Sequence, residues 1–212
     1  MRLTPVCVII IIFSAACATG MQFEFSGGLA FDRPIDEPLP GLSAGYGWSL
    51  GVGFLPTERI GFSIIANSTE HKMTADTSNN EIARGASKRT ALCIMAHYRF
   101  LRIRNTEFEA YFGASYNSIN GGDSSGSYLD FRFNPEDLGY SGWGTILGAS
   151  VLHPIGAGYN LTFGVKYNYL IYSHYEFAFP VDFNPRRDGS SLLINAGVIY
   201  RLDFSVLSGL IK

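Results

Sequence analysis

The sequence predicts an all-β fold, a single transmembrane up-and-down antiparallel β-barrel of eight strands. Large apolar residues alternate with small or polar ones through eight segments, which is the period of an extended strand. Short and long connections between these segments alternate along the chain, as in membrane barrels. Charged residues make up only 16% of the 212 residues, below the roughly 25% of soluble domains. A chain that exposes little surface to water has this composition.

The first residues predict an export signal rather than a membrane-spanning helix. The apolar run 6–13 is too short to cross a bilayer as a helix, which takes about 20 residues. Residues 16–18, Ala-Cys-Ala, match an A-x-A cleavage site, so we assign 1–18 to the signal peptide and 19–212 to the barrel. The alternative is that Cys17 becomes a lipidated N-terminus, because the residues before it resemble a lipoprotein processing box.

The first four predicted strands each carry one apolar face. Their apolar residues are Phe23, Phe25, Leu29 and Phe31 in 23–31; Ala44, Tyr46, Trp48, Leu50, Val52 and Phe54 in 44–54; Ile60, Phe62, Ile64 and Ala66 in 60–68; and Leu92, Ile94, Ala96, Tyr98 and Phe100 in 90–100. The opposite face of the second strand is Gly-Gly-Ser-Gly-Gly. One face of each strand is therefore bulky and the other small or polar.

The last four predicted strands repeat the pattern. Their apolar residues are Phe108, Ala110, Phe112, Ala114 and Tyr116 in 107–117; Trp143, Leu147, Ala149 and Val151 in 142–153; every odd position in 159–172; and Leu192, Ile194, Ala196, Val198, Tyr200, Leu202 and Phe204 in 192–204. No stretch of helical periodicity competes with these eight segments.

The connections predict a membrane barrel with two different ends. Those after the second, fourth and sixth strands are short, at 55–59, 101–106 and 154–158. The others span roughly 12, 20, 24 and 18 residues and are rich in Asp, Asn, Ser, Gly and Pro. Short periplasmic turns and long extracellular loops are typical of bacterial outer-membrane barrels, and an even strand number leaves both termini periplasmic. A soluble lipocalin-like barrel is the alternative.

Two arguments predict that the apolar face meets lipid. The interior of an eight-stranded barrel is only just wide enough for side chains to fill it, so the small-residue face fits there and Gly51→Ser is expected to be tolerated. Aromatic residues also cluster at both ends of the apolar faces, around an aliphatic middle, as in the girdles of a lipid-facing surface. The loop-end group is Phe31, Tyr46, Trp48, Tyr116, Trp143, Tyr167 and Tyr169; the turn-end group is Phe23, Phe25, Phe54, Tyr98, Phe100, Phe108, Tyr159, Tyr200 and Phe204.

In these features the chain resembles the small eight-stranded bacterial outer-membrane barrels, the OmpA, OmpX and OmpW group. The resemblance covers the whole mature chain but is architectural, and no motif singles out one member. The chain departs from the group's usual C-terminal aromatic residue, because SVLSGLIK follows Phe204.

Several charged side chains fall on the inward faces, and buried charges must be paired. Arg99 and Glu109 flank the turn 101–106 on one face, which predicts a cross-strand pair. Arg201 and Glu24 become neighbours when the barrel closes, which predicts a second pair. Lys166 stands at mid-strand. The resemblance to OmpA-type barrels implies a salt-bridge gate in which Lys166 would move; the alternative is that the charges only fill and rigidify the lumen.

For function, the resemblance implies a narrow OmpW-like channel for small, hydrophobic solutes in the outer membrane, with no cofactor or metal. The alternative is an OmpX-like adhesin or envelope-stabilising barrel that binds host or surface ligands through its loops. A lipid-modifying enzyme that uses Ser173, His174 and Asp182 is a remote alternative, because adjacent strand residues point to opposite faces. No basic run indicates a nucleic-acid partner; the expected partners are outer-membrane lipids.

Overall fold

Eight antiparallel strands form one closed barrel in the computed structural model, which describes residues 21–36, 42–76, 82–121, 138–177 and 188–203. Each strand pairs with the next in the chain, and β1 pairs with β8 to close the barrel. The strands are β1 (Gln22–Asp36), β2 (Leu42–Leu55), β3 (Ile60–Asp76), β4 (Ile82–Ile103), β5 (Thr106–Gly121), β6 (Leu138–Gly156), β7 (Tyr159–Phe177) and β8 (Asp188–Asp203). The predicted fold class and strand count are confirmed.

The register of the strands fixes the stagger of the barrel. From Phe23, a path through directly paired residues on β2 to β8 returns to β1 at Arg33, ten residues further along. Stagger, strand tilt and diameter are linked in a closed barrel, and strands of this kind tilt by about 35–45° from the axis. The tilt leaves an interior that side chains can fill.

The strands extend further toward the loops than their apolar pattern predicts. The β3–β4 ladder continues in register to the pair of Asp76 with Ile82, through residues predicted to be loop. Apolar alternation marks only the lipid-facing height, whereas ladder hydrogen bonds also form where both faces meet water. The connections at this end shorten to 37–41, 77–81, 122–137 and 178–187, which lie outside the described residues, as do 1–20 and 204–212.

The opposite end of the barrel, the turn end, has three short connections at 56–59, 104–105 and 157–158. In the first, the Thr57 hydroxyl accepts a hydrogen bond from the backbone N–H of Ile60 at 2.9 Å, which closes the turn. In the third, Gly158 takes a φ of 85°, a conformation that favours glycine. β1 begins and β8 ends at this same end, so the ends of the described barrel lie side by side.

The outer surface is apolar and bounded by aromatic residues. Leu50, in the middle of β2, is 57% exposed. Aromatic side chains pack across neighbouring strands near each end, with ring centroids 5.1 Å apart for Phe31 and Tyr46 and 4.8 Å apart for Tyr159 and Tyr200. This surface fits the predicted lipid-facing belt between two girdles. The described residues contain no helix long and apolar enough to cross a membrane.

Candidate functional site in the barrel lumen

Large side chains fill the lumen by lying over glycines of the neighbouring strand. The Lys166 stem covers Gly148, so a Cβ atom there would lie 2.9 Å from Lys166 Cγ. The other such pairs are Gly45 with His71, Gly51 with Ile65, Gly61 with His97, and Gly113 with Met95. The small faces predicted from the sequence therefore provide space for specific neighbours. At position 51 a serine requires its neighbours to move, since a Cβ atom would lie 2.8 Å from Ile65 Cγ1 and 2.6 Å from Ser26 Oγ; that Gly51→Ser is tolerated better than Leu50→Arg stays a prediction.

At the turn end, two arginines share one carboxylate. Glu24 Oε1 accepts hydrogen bonds from Arg99 Nη2 at 2.6 Å and from Arg201 Nε at 2.8 Å. Arg201 Nη2 also donates to Glu107 Oε2 at 3.1 Å. The four side chains come from β1, β4, β5 and β8, so this network ties the closing strands of the barrel to its opposite wall.

Glu109 joins the same network through a histidine. Its Oε2 lies 2.8 Å from Nδ1 of His97, and its Oε1 lies 3.7 Å from Arg99 Nε. A carboxylate only accepts, so His97 donates through Nδ1. We call Glu24, His97, Arg99, Glu107, Glu109 and Arg201 the charge cluster. Its carboxylates outnumber its guanidinium groups by three to two.

Lys166 lies apart from the charge cluster. Its ammonium is 5.4 Å from the centroid of the Tyr111 ring, a cation–π contact, and its side chain is buried. No carboxylate of the described residues lies within 4 Å of this ammonium. The structure thus brings together four of the five residues singled out from the sequence, Glu24, Arg99, Glu109 and Arg201, and leaves out Lys166.

An apolar cluster lies inside the lumen at mid-height, on the wall formed by β3 to β6. Met95 of β4 and Ile146 of β6, each 1% exposed, belong to it together with Cys93, and both flank Gly113 of β5, which has no side chain to separate them. Ile65 and Tyr111 pack against them. We call Ile65, Met95, Tyr111 and Ile146 the septum. Such side chains exclude water, so the septum is a dry region between a turn-end compartment, lined in part by Ile65 and Tyr111, and a loop-side compartment, lined in part by Ile146.

The compartment on the loop side contains a polar group that the sequence reading missed. Arg89 Nη1 donates to Asp32 Oδ2 at 3.0 Å, and Nε2 of His71 lies 3.4 Å from the same oxygen. His71 Nδ1 donates to the carbonyl of Ser43 at 2.9 Å. These residues fell outside the predicted strands. The alternation of Arg89 with Ala91 and Cys93 extends the inward face of β4 and is the signal that could have found it.

Three polar side chains on β5 and β7 form a closed ring of hydrogen bonds beside this group. Ser115 Oγ donates to Asn168 Oδ1 at 2.9 Å, Asn168 Nδ2 to Asn117 Oδ1 at 3.2 Å, and Asn117 Nδ2 to Ser115 Oγ at 2.8 Å. The ring passes over Gly144 of β6, where a Cβ atom would lie 2.7 Å from Asn168 Oδ1. The loop-side compartment is therefore as fully packed as the turn end.

Two cavities of the described lumen have room only for small molecules. One of about 30 Å³ lies between the charge cluster and the septum and is lined by Ser63, His97 and Glu109 among others. The other, of about 20 Å³, lies on the loop side beside Cys93 and Lys166. A cavity needs roughly 10–15 Å³ to accept one water. Within the described part of the chain, no three His, Cys, Asp or Glu side chains are placed to hold a metal ion.

Solved structures share this architecture, while no protein-family profile and no curated protein matches the chain. OprG of Pseudomonas aeruginosa, an outer membrane protein, is 13% identical with a TM-score of 0.57, over 87% of this chain and 97% of OprG. The fold is that of the small outer-membrane barrels. A major outer membrane protein of Thermus thermophilus is 16% identical (TM-score 0.58, 86% and 99% covered), and the neisserial surface protein NspA is 16% identical (TM-score 0.54, 84% and 96% covered).

Proposed function

We propose that this protein is an integral outer-membrane barrel that is closed at rest and acts through its loop end, as a surface adhesin or an envelope-stabilising element. The septum is the observation that supports this function best. Met95 and Ile146 come together over Gly113 at mid-height, and the two cavities that the septum borders are the size of one or two waters. A solute larger than water has no path through such an interior.

The surface above the aromatic girdle supports a role at the loop end. On β3 and β4 the exposed outward residues change from Leu92 and Ile94 to Glu70, Lys72 and Lys88. The strands thus continue beyond the apolar belt as a polar ladder, which would stand in water outside the membrane. Rigid strands that project a set of loops are a common scaffold for binding. Of the similar structures, NspA is itself named a surface protein.

A channel for small hydrophobic solutes is the second candidate, favoured by a specific observation. Glu24 Oε1 is shared by two arginines, and Lys166 has no carboxylate within 4 Å among the described residues. Charges held in this way can exchange partners without leaving one unpaired, which a salt-bridge gate requires. A channel also requires the septum to move, so this function needs two rearrangements: an exchange of ion-pair partners and a displacement of the septum. That the chain is not an enzyme stays a prediction, since Ser173 is exposed and Asp182 lies outside the described residues.

Two measurements separate these functions. In planar bilayers the closed barrel gives no unitary conductance steps, whereas a channel gives steps at moderate voltage. Cys93 provides an independent probe, because it is 1% exposed within the lumen. We expect a maleimide to label Cys93 only after denaturation, while Lys72→Cys in a Cys93→Ser background is labelled in the folded barrel. Conductance steps together with labelling of native Cys93 would reject the closed lumen.

Orientation is tested on intact cells. The proposal places the loop end outside, so Lys72→Cys is labelled by a membrane-impermeant maleimide. Arg104→Cys, in an exposed residue of the β4–β5 turn, is the matched control and is labelled only after the cells are opened. The reverse result would place the loops in the periplasm and remove the surface function.

A further inference from the structure

Three buried polar atoms beside the turn-end cavity lack a hydrogen-bond partner among the described residues. They are Ser63 Oγ, His97 Nε2 and Glu109 Oε1, and all three residues line the cavity of about 30 Å³. The side chains of His97 and Glu109 are 3% and 1% exposed. Buried polar atoms without a partner are rare in folded proteins, and each one needs a physical explanation.

The cavity has the size and the chemistry of a water site. Its volume exceeds the roughly 10–15 Å³ needed for one water, and a buried water makes about three hydrogen bonds. Glu109 Oε1 can only accept a hydrogen bond, Ser63 Oγ can donate or accept, and His97 Nε2 takes either role according to its protonation. Water is the small molecule that serves all three, since it both donates and accepts.

A metal ion fits the same atoms less well. Arg99 and Arg201 lie in the cluster that contains Glu109, so a divalent cation would add two positive charges beside two guanidinium groups. No group of three His, Cys, Asp or Glu side chains in the described chain is placed to hold a metal.

We propose that the turn-end cavity is a binding site for ordered water that bridges Ser63, His97 and Glu109. This goes beyond the proposed surface function, because it assigns a permanent ligand to the interior. The water satisfies His97 Nε2 and Glu109 Oε1 of the charge cluster. The hydrated cavity borders the dry septum along Ile65 and Tyr111, which line the same cavity.

The direct test is a high-resolution crystal structure of the refolded barrel. We expect a density peak within hydrogen-bond distance of Ser63 Oγ and His97 Nε2 that refines as water. Crystals soaked in manganese chloride are the second arm, because manganese gives an anomalous signal. An empty cavity, or an anomalous peak in it, would overturn the proposal.

A pair of substitutions gives opposite results for a wet and a dry cavity. If water is present, Ser63→Ala leaves it in place, whereas Ser63→Val expels it and leaves His97 and Glu109 without partners. Ser63→Val then lowers the urea midpoint of unfolding further than Ser63→Ala does. If the cavity is dry, the valine fills a void and the order reverses. Ser49 of β2 is the control position, because its side chain is buried in the barrel lumen but lines neither of these cavities. The difference in urea midpoint between Ser49→Val and Ser49→Ala measures the cost of overpacking alone.

Discussion

The imidazole ring of His97 occupies the space above Gly61 on the neighbouring strand. A Cβ atom at position 61 would collide with the ring at Cε1 and Nε2, and no backbone atom lies as close. Position 61 therefore needs a glycine because the His97 ring fills the space that a side chain would take, and not because of the backbone around it. At Gly113 and Gly148, by contrast, a backbone carbonyl of the neighbouring strand lies closer than the side chain, so Gly61 with His97 is the pair that can be tested as a unit.

We expect Gly61→Ala to destabilise the barrel by about 1–3 kcal/mol, the usual cost of overpacking a filled interior. In a His97→Ala background the same substitution should cost much less, because the ring is gone. Urea unfolding of the four proteins in lipid vesicles measures this coupling. Equal costs of Gly61→Ala in both backgrounds would show that the ring does not lie over position 61.

The two faces of β2 predict opposite responses to polar substitution. Leu50→Arg places a charge in the middle of the lipid-facing surface, where Arg or Lys costs about 2–4 kcal/mol. Gly53→Ser is the control on the inward face, since a Cβ atom there meets Glu24 and Phe62 only at 3.4 Å. Folding yield and urea midpoint in vesicles are measured for both. A barrel that tolerates Leu50→Arg and rejects Gly53→Ser would have its faces assigned backwards.

The septum predicts which substitution opens the lumen. Met95→Ala with Ile146→Ala should join the two cavities and produce conductance steps that the parent lacks, at a cost of about 2–5 kcal/mol for each substitution. Leu55→Ala removes one buried side chain of comparable size at the turn end, outside the septum, and should not open a path. Planar-bilayer recordings decide the matter. If Leu55→Ala conducts and the septum variant does not, the barrier lies elsewhere.

Glu24 and Lys166 are both buried charges, but opposite results are expected for them. Glu24→Gln leaves Arg99 and Arg201 without their shared carboxylate, and breaking a buried pair in this way costs about 3–5 kcal/mol.

Lys166→Met should be neutral or stabilising. It replaces a buried ammonium, which has no carboxylate within 4 Å among the described residues, by an apolar side chain of similar length. Thermal unfolding in detergent compares it with Glu24→Gln, with exposed Glu70→Gln as the control. A Lys166→Met variant as unstable as Glu24→Gln would mean that the ammonium has an ionic partner.

The sequence predicts the barrel well because the same two-residue alternation indicates both where a strand runs and which of its faces points outward. It also predicts the pairs of Arg99 with Glu109 and of Glu24 with Arg201, since each follows from strand order and closure. The septum and the group around Asp32 and His71 could not be predicted in this way. Met95 and Ile146 come from strands that are not neighbours and approach each other because Gly113 lies between them on β5, so the contact depends on the register of three strands, which no single strand encodes.

Closure of the barrel also has a kinetic consequence. Glu24 and Arg201 are 177 positions apart in the chain, yet they are direct partners in the ladder that closes the barrel. Loop-closure entropy must be overcome before so distant a contact stabilises anything, so we expect the β1–β8 ladder to form after the other seven ladders have drawn the ends together. The hydrogen bond between Arg201 and Glu24 therefore indicates that the barrel has closed. A fluorescent pair placed at Gln22 and Asp203 would report the final step of assembly, after insertion of the individual hairpins.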